Sequence, residues 1–226
     1  MLAGRPTGAP GTCVTCVMEG VRPVLAEIQA LVVPSSLGNP RRVSNGFDYS
    51  RSMLLLAVLE KRGGLMVGGC DAYVNVIGGL YLEEPAADLA AILALASSFR
   101  DKPVPNDLAA IGEVGLTGEL RAASALGQRL AEIKRLGFTK CMIPKRTQGK
   151  LAVPEGLELI RVANIREAMA ALLRRLGRHK VDAAGWPGLS GRGRPRQGAV
   201  AVLLVHAGVG AGDQAHSSFL LVLLSF

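Results

Sequence analysis

Between Arg22 and Val33, Val24, Ala26, Ile28, Ala30 and Val32 alternate with Leu25, Glu27, Gln29 and Leu31. A period of two is the signature of a strand that turns one face to a core. Upstream, Thr12–Met18 has the same character and is set off by Glu19-Gly20, a turn dipeptide, so the two segments read as a hairpin. Downstream, Pro34 to Gly46 is rich in Pro, Ser, Gly and Asn and reads as loop. The period then lengthens. Asp48 is placed to cap a helix over Tyr49–Arg62 that Gly63 ends, with Lys61 and Arg62 complementing the dipole in its last turn. Asp71–Ile77 reads as a strand closed by Gly78-Gly79. A helix is expected from Pro85 to about Phe99, and its stretch Ala86–Ala96 is apolar nearly all round, as in a central buried helix. A strand over Ala109–Val114, a helix over Ala122–Leu136, and strands at Lys140–Ile143 and Leu157–Val162 follow. Asn164 and Glu167 spell a capping box for the last helix, which Gly177 stops. Strands and helices that interleave in this way predict an α/β fold.

The character changes after Leu176. Gly191–Arg196 reads as a flexible basic linker, and the apolar residues beyond it, interrupted by Gly208–Gly212, show no caps and no sustained period. The expected organisation is a folded body over 1–176 and an appendage over 177–226 that is not a domain of its own.

Composition narrows the class. Nearly half the residues (49%) are hydrophobic but only 4% are aromatic, so the core rests on Leu, Val, Ile and Ala. The net charge of +8 favours a polyanionic partner, although charge alone shifts the balance little. Cys13 and Cys16 form a C-x-x-C, which is half of a zinc site or a redox pair. Cys70 and Cys141 are singletons, and His179, His206 and His216 all fall in the tail. Residues three apart on a strand face opposite ways, so the reading favours small apolar strand residues and no metal site. Sparse cysteines fit a reducing compartment. The N-terminus lacks the apolar core of a signal peptide, and the longest apolar runs are too short to span a bilayer; a soluble protein away from membranes is expected.

Several segments carry a family resemblance. Ser36-Leu37-Gly38-Asn39-Pro40-Arg41-Arg42, Gly46-Phe47-Asp48, Arg51 and Ala57-Val58-Leu59-Glu60-Lys61-Arg62 resemble the RadA/Sms DNA-repair family. So do Asp71-Ala72-Tyr73, the run from Ala96 to Pro103, Ile111-Gly112-Glu113-Val114-Gly115-Leu116-Thr117-Gly118-Glu119, Leu136-Gly137-Phe138 and Ile143-Pro144-Lys145. The resemblance runs from Pro6 to Leu176. It implies a three-part machine of zinc ribbon, RecA-like ATPase and a C-terminal domain similar to the proteolytic domain of Lon, of which this sequence matches only the third. No G-x-x-x-x-G-K-[ST] phosphate loop and no paired C-x-x-C ribbon occur in it, so no cofactor is expected here; ATP and zinc belong to the other parts. The implied fold is that of the Lon proteolytic domain, similar to the second domain of ribosomal protein S5, a mixed sheet layered with helices.

Lon-type proteases resemble one another in a Ser–Lys dyad, in which a lysine takes the proton of the attacking serine. The serine's P-S-A-G segment corresponds here to Glu84-Pro85-Ala86-Ala87-Asp88, and the lysine's G-G-L-K segment to Ser124-Ala125-Leu126-Gly127. The resemblance therefore places Ala86 and Gly127 at the dyad positions, and the chain is expected not to be a peptidase. Ser97, Ser98 and Ser124 are the alternative nucleophiles, with surface or capping roles the favoured reading. Glu113 and Glu119 also resemble family residues and are expected to be structural.

The expected function is a non-proteolytic scaffold for single-stranded or branched DNA in recombinational repair, assembling with copies of itself, as a six-membered ring in the family's manner. Arg41, Arg42, Arg51, Lys61, Arg62, Lys145 and Arg146 are the DNA-binding candidates, contacting phosphates without reading sequence. The alternatives are a Lon-like serine peptidase with another nucleophile and a structural fragment that regulates full-length rings. The expected compartment is bacterial cytoplasm, or an organelle of bacterial descent such as a chloroplast or mitochondrion.

Overall fold

The alternating segment forms the longest strand, β2 (Arg22–Pro34), paired antiparallel along its length with β1 (Thr12–Glu19). The computed structural model describes residue 4 and residues 7–36, 38–147, 149 and 151–176; the expectations for 177–226 lie outside the described residues. Gly20 turns the hairpin in the left-handed region at φ +61°, open to glycine at little cost. Five more strands complete a seven-stranded sheet: β3 (Arg42–Asn45), β4 (Cys70–Val76), β5 (Leu108–Ala110), β8 (Lys140–Pro144) and β9 (Glu158–Val162). Their order is β3-β4-β2-β1-β5-β8-β9, and only β2 runs against its neighbours. A separate two-stranded ribbon joins β6 (Glu113–Val114) to β7 (Leu120–Arg121).

Period two divides the sheet's side chains between two cores. On one face Cys13, Val17, Ala26, Ile28 and Val74 pack under three helices: α1 (Tyr49–Lys61), α2 (Asp88–Arg100) and α4 (Ile165–Leu176). On the other, Val14, Cys16, Leu25, Ala109 and Cys141 pack under α3 (Leu126–Arg135). This is a mixed α/β arrangement with a mostly parallel sheet between helical layers. Cys13 and Cys16 end up in different cores, on opposite sides of the backbone.

Helix α2 is central. Every residue from Asp88 to Ser97 is buried, as an all-round apolar helix requires, and Asp88 is the one charged side chain in that run. Asp48 caps α1, its Oδ1 accepting the Arg51 N–H at 2.6 Å. At α4, Asn164 accepts the Glu167 N–H at 3.0 Å, while the Glu167 carboxylate reaches back to the N–H of Ala163 rather than that of Asn164.

Three segments differ from expectation. Arg42–Asn45, read as loop, forms the parallel edge strand β3 against β4. Ala109–Val114 is not one strand: the chain leaves the sheet at Gly112, where a Cβ would meet the Pro144 ring at 3.0 Å, and resumes as β6. The helix expected from Ala122 starts at Leu126, because Ala125 holds a left-handed φ of +50° ahead of it.

Candidate functional site: the Ala86 and Gly127 positions and a basic surface

Pro85 opens a single 3-10 turn, Pro85–Ala87, that leads into α2. The Ala86 carbonyl accepts the Gly112 N–H at 2.9 Å, and the Gly112 carbonyl accepts the Leu89 N–H at 3.0 Å, so the turn is stitched to the end of β5. The Ala86 side chain is 3% exposed and belongs to the same core as Leu126 of α3. Gly127 follows Leu126 on the solvent side, where a Cβ would meet nothing within 4 Å. The salt bridge between Glu84, two residues before Ala86, and Arg129, two residues after Gly127, joins the entry to the 3-10 turn to α3, and this is the junction that carries the two positions. The residues there are a methyl group and a hydrogen.

Two ion pairs frame that junction. Arg129 is fully buried, and all three nitrogens of its guanidinium are engaged: Nε donates to the Ser124 carbonyl at 2.8 Å, Nη1 to the Cys16 carbonyl at 2.6 Å and to Glu84 Oε2 at 2.9 Å, and Nη2 to Glu84 Oε1. Glu84 Oε2 also accepts the Met18 N–H at 2.9 Å. Burying a charge is costly unless it is paired and hydrogen-bonded, and this arginine is both. One turn further on, Asp88 is 0% exposed and takes a two-pronged contact from Arg51, with Nε on Oδ1 at 2.9 Å and Nη2 on Oδ2. Its Oδ2 also accepts the Val114 N–H at 3.0 Å. Burial pushes the Asp88 carboxyl above the usual carboxylate range, opposed by the hydrogen bonds from Arg51 and Val114.

Beside the turn a cleft of 260 Å³ opens between Phe47, Tyr81 and Leu82, rimmed by Asp48, Glu83 and Glu84. Among the described residues its lining holds no serine, threonine, cysteine or lysine. Ser97 and Ser98 lie at the far end of α2, where their hydroxyls accept the Gly11 and Val32 N–H groups at 2.9 Å each. Ser124 is exposed and contributes its carbonyl to Arg129. Among the described residues no three His, Cys, Asp or Glu side chains converge as metal ligands. Burial raises the thiol pKa of Cys16 to about 12 and pushes that of Cys141 up as well.

The seven basic candidates have different fates. Arg41 is exposed at the entry to β3, its backbone N–H held by Asp71 Oδ1 at 2.7 Å. Arg42 is half-buried and spends its guanidinium on the carbonyls of Arg41, Val67 and Gly68 at 3.2, 3.1 and 3.1 Å. Arg51 is committed to Asp88 and to the Val114 carbonyl. Lys61, Arg62, Lys145 and Arg146 are exposed. Backbone contacts connect these last two pairs: Lys145 N–H to the Val162 carbonyl, Leu120 N–H to the Ala163 carbonyl, and Ile165 N–H to the Gly118 carbonyl, with Gly118 lying on the Arg62 side chain. That path adds Arg121 and Arg166, which the sequence reading did not single out, to the basic surface. Arg121 pairs with Glu119 at 2.8 Å; the Thr117 hydroxyl and Arg121 together hold the Glu119 carboxyl below its usual range.

The sequence reading also passed over Glu84, Asp88 and Arg129. A signal existed for two of them. Leu126, Arg129, Leu130 and Ile133 follow the i, i+3, i+4, i+7 stripe of a buried helix face, which puts a charge in a core position. Asp88 is likewise the lone charge in the buried apolar run from Asp88 to Ser97.

With this geometry in hand, the comparisons are specific. Residues 73–175 match the model of the Lon protease (S16) C-terminal proteolytic domain, a span that includes both Ala86 and Gly127. The chain is 49% identical over 172 residues to the DNA repair protein RadA of Bacillus subtilis, covering 76% of this chain and 38% of that protein. It is 46% identical to the RadA of Listeria monocytogenes over 76% of this chain, and 45% identical to that of Streptococcus pneumoniae over 74%. The chain thus spans about two fifths of the length of the curated relatives it matches. Their similarity and the Lon-type match together show that this chain belongs to the RadA family of DNA-repair proteins and carries its C-terminal Lon-like domain.

Proposed function

We propose that this domain is a non-proteolytic Lon-like scaffold that binds DNA without reading its sequence and associates with copies of itself in recombinational repair. The observation that carries the reading is the pair of dyad positions, occupied by a buried methyl at Ala86 and by Gly127. Removing one member of a catalytic unit already costs orders of magnitude in rate, and here both are replaced. Among the described residues the adjoining cleft offers carboxylates, Arg51 and the Tyr81 phenol, but no serine, threonine, cysteine or lysine from which a Lon-type dyad could be built.

Membership of a DNA-repair family supplies the polyanion that a net charge of +8 calls for. Arg41, Lys61, Arg62, Lys145 and Arg146 are the contacts we assign to it, each exposed and none in a salt bridge among the described residues. Arg42 and Arg51 are assigned to the fold instead. The test is the anisotropy of a labelled single-stranded oligonucleotide titrated with the full chain at several salt concentrations. Binding should be strong at low salt and fall steeply as salt rises, by about 0.7 in the log–log slope for each phosphate contact. No binding at low salt overturns the assignment. Light scattering on the same material should report a mass above that of one chain.

A further inference from the structure

A second cavity, of 210 Å³, lies between the ends of α1 and α2 and the outer face of α4, away from the silent dyad. Its floor is aliphatic: Leu65, Ala96, Met169 and Leu172. Its rim carries Arg100, Lys102 and Arg166, and none of these three is in a salt bridge among the described residues. Arg166 spends its Nε on the Arg62 carbonyl at 2.7 Å. Asp101, exposed between Arg100 and Lys102, is the one acid in that stretch. The Ser97 hydroxyl that lines the cavity already bonds the Gly11 N–H and the Lys102 carbonyl. An apolar floor under an uncompensated cationic rim calls for an occupant that is apolar at one point and negative around it.

Size and chemistry select among such occupants. Pockets for whole small molecules start at about 300 Å³. This one has room for a single large side chain. A nucleotide base would need a flat ring to stack on at the floor, and among the described residues the floor is aliphatic with no aromatic side chain.

We propose that this cavity is a docking site for an acidic peptide segment of a partner protein. One apolar side chain of the peptide enters between α1, α2 and α4, and its neighbouring carboxylates pair with Arg100, Lys102 and Arg166. The site adjoins the basic surface through Arg166, which bonds the Arg62 carbonyl, but its floor and Arg100 and Lys102 are not among the DNA contacts assigned above.

The test uses the full chain and a fluorescein-labelled peptide with a run of aspartates ending in phenylalanine, read by anisotropy at low salt. Replacing the terminal phenylalanine by serine should weaken binding about tenfold or more, the equivalent of one buried aromatic side chain. Ala170 is exposed on α4 at the cavity's edge, so Ala170→Phe should plug it and abolish peptide binding while the circular dichroism stays unchanged. Lys102→Glu should weaken the peptide by a similar factor, and Lys145→Glu should leave it alone. The proposal is overturned if the serine and phenylalanine peptides bind alike, if Ala170→Phe has no effect on the peptide, or if that variant weakens a single-stranded oligonucleotide instead. An absence of peptide binding at low salt overturns it equally.

Discussion

Glu84 and Arg129, 45 residues apart in sequence, meet through both carboxylate oxygens two residues before Ala86, the position that the sequence resemblance aligns with a Lon nucleophile. The pair fastens the segment before Ala86 to the helix that bears Gly127, and it draws in β1 through the Cys16 carbonyl and the Met18 N–H. In this domain the segment around Ala86 and the start of α3 are held together by a buried ion pair.

Glu84→Ala leaves the buried Arg129 without its counter-charge. Loss of one member of a buried pair costs about 3–5 kcal/mol, and with Glu84 28% exposed the lower end is expected. Urea unfolding should show that loss as a lower midpoint. Replacing both residues by apolar side chains of similar volume, Glu84→Leu with Arg129→Met, should restore most of it. A change below about 1 kcal/mol in the single variant would mean that the pair behaves like an exposed one.

Arg51 and Lys145 should separate cleanly. Arg51→Gln removes the only salt bridge of the fully buried Asp88 among the described residues, so it should lower stability by about 3 kcal/mol while leaving the salt slope of DNA binding unchanged. Lys145→Glu with Arg146→Glu should do the reverse, with a shallower salt slope and an unchanged urea midpoint. A loss of slope in Arg51→Gln would return that residue to the DNA surface.

Asp107 gives the fold an acid-sensitive joint. Partial burial alone would raise its carboxyl, but the hydrogen bonds from Lys140 at 2.7 Å and the Thr139 hydroxyl at 2.6 Å outweigh that and hold it below the usual range. A carboxylate whose folded pKa is depressed contributes stability above its unfolded pKa, about 4, and loses it as the pH falls through the folded value. Urea midpoints should therefore drop with acid below about pH 4, and Asp107→Asn should flatten that part of the curve. An identical acid limb in the variant would assign the dependence to other groups.

All four cysteines are buried and none is in a disulfide. With its pKa near 12 and its side chain inside the core, Cys16 has almost no thiolate at neutral pH. Ellman's reagent should react slowly with the native protein and at once with four thiols in denaturant. Rapid labelling of the native chain would contradict the buried placement.

Much of this architecture is written locally. The alternation over Arg22–Val33, the Asp48 cap and the Asn164 cap are short-range devices, and each is found in place, with Glu167 closing on the Ala163 N–H one residue earlier than a capping box expects. What escaped depends on distant contacts. Arg42–Asn45 is polar and short, and becomes a strand only because β4 lies beside it. Gly112 breaks an otherwise continuous apolar run because Pro144 crowds it, a contact invisible in sequence. Ala122–Ala125 are good helix formers, yet the helix waits for Leu126 with Arg129 anchored on the Ser124 carbonyl. The same holds at the site. The resemblance located Ala86 and Gly127, but a list of exposed-looking cations could not tell Arg51, which meets Asp88 37 residues away, from Lys145.

The most direct test of the account is proteolysis itself. Fluorescent casein incubated with the purified chain should release no fluorescence above buffer, and Ser97→Ala, Ser98→Ala and Ser124→Ala should change nothing. Cleavage by the wild-type chain that one of those substitutions abolishes would show a working nucleophile elsewhere and contradict the reading of Ala86 and Gly127 as a silenced dyad.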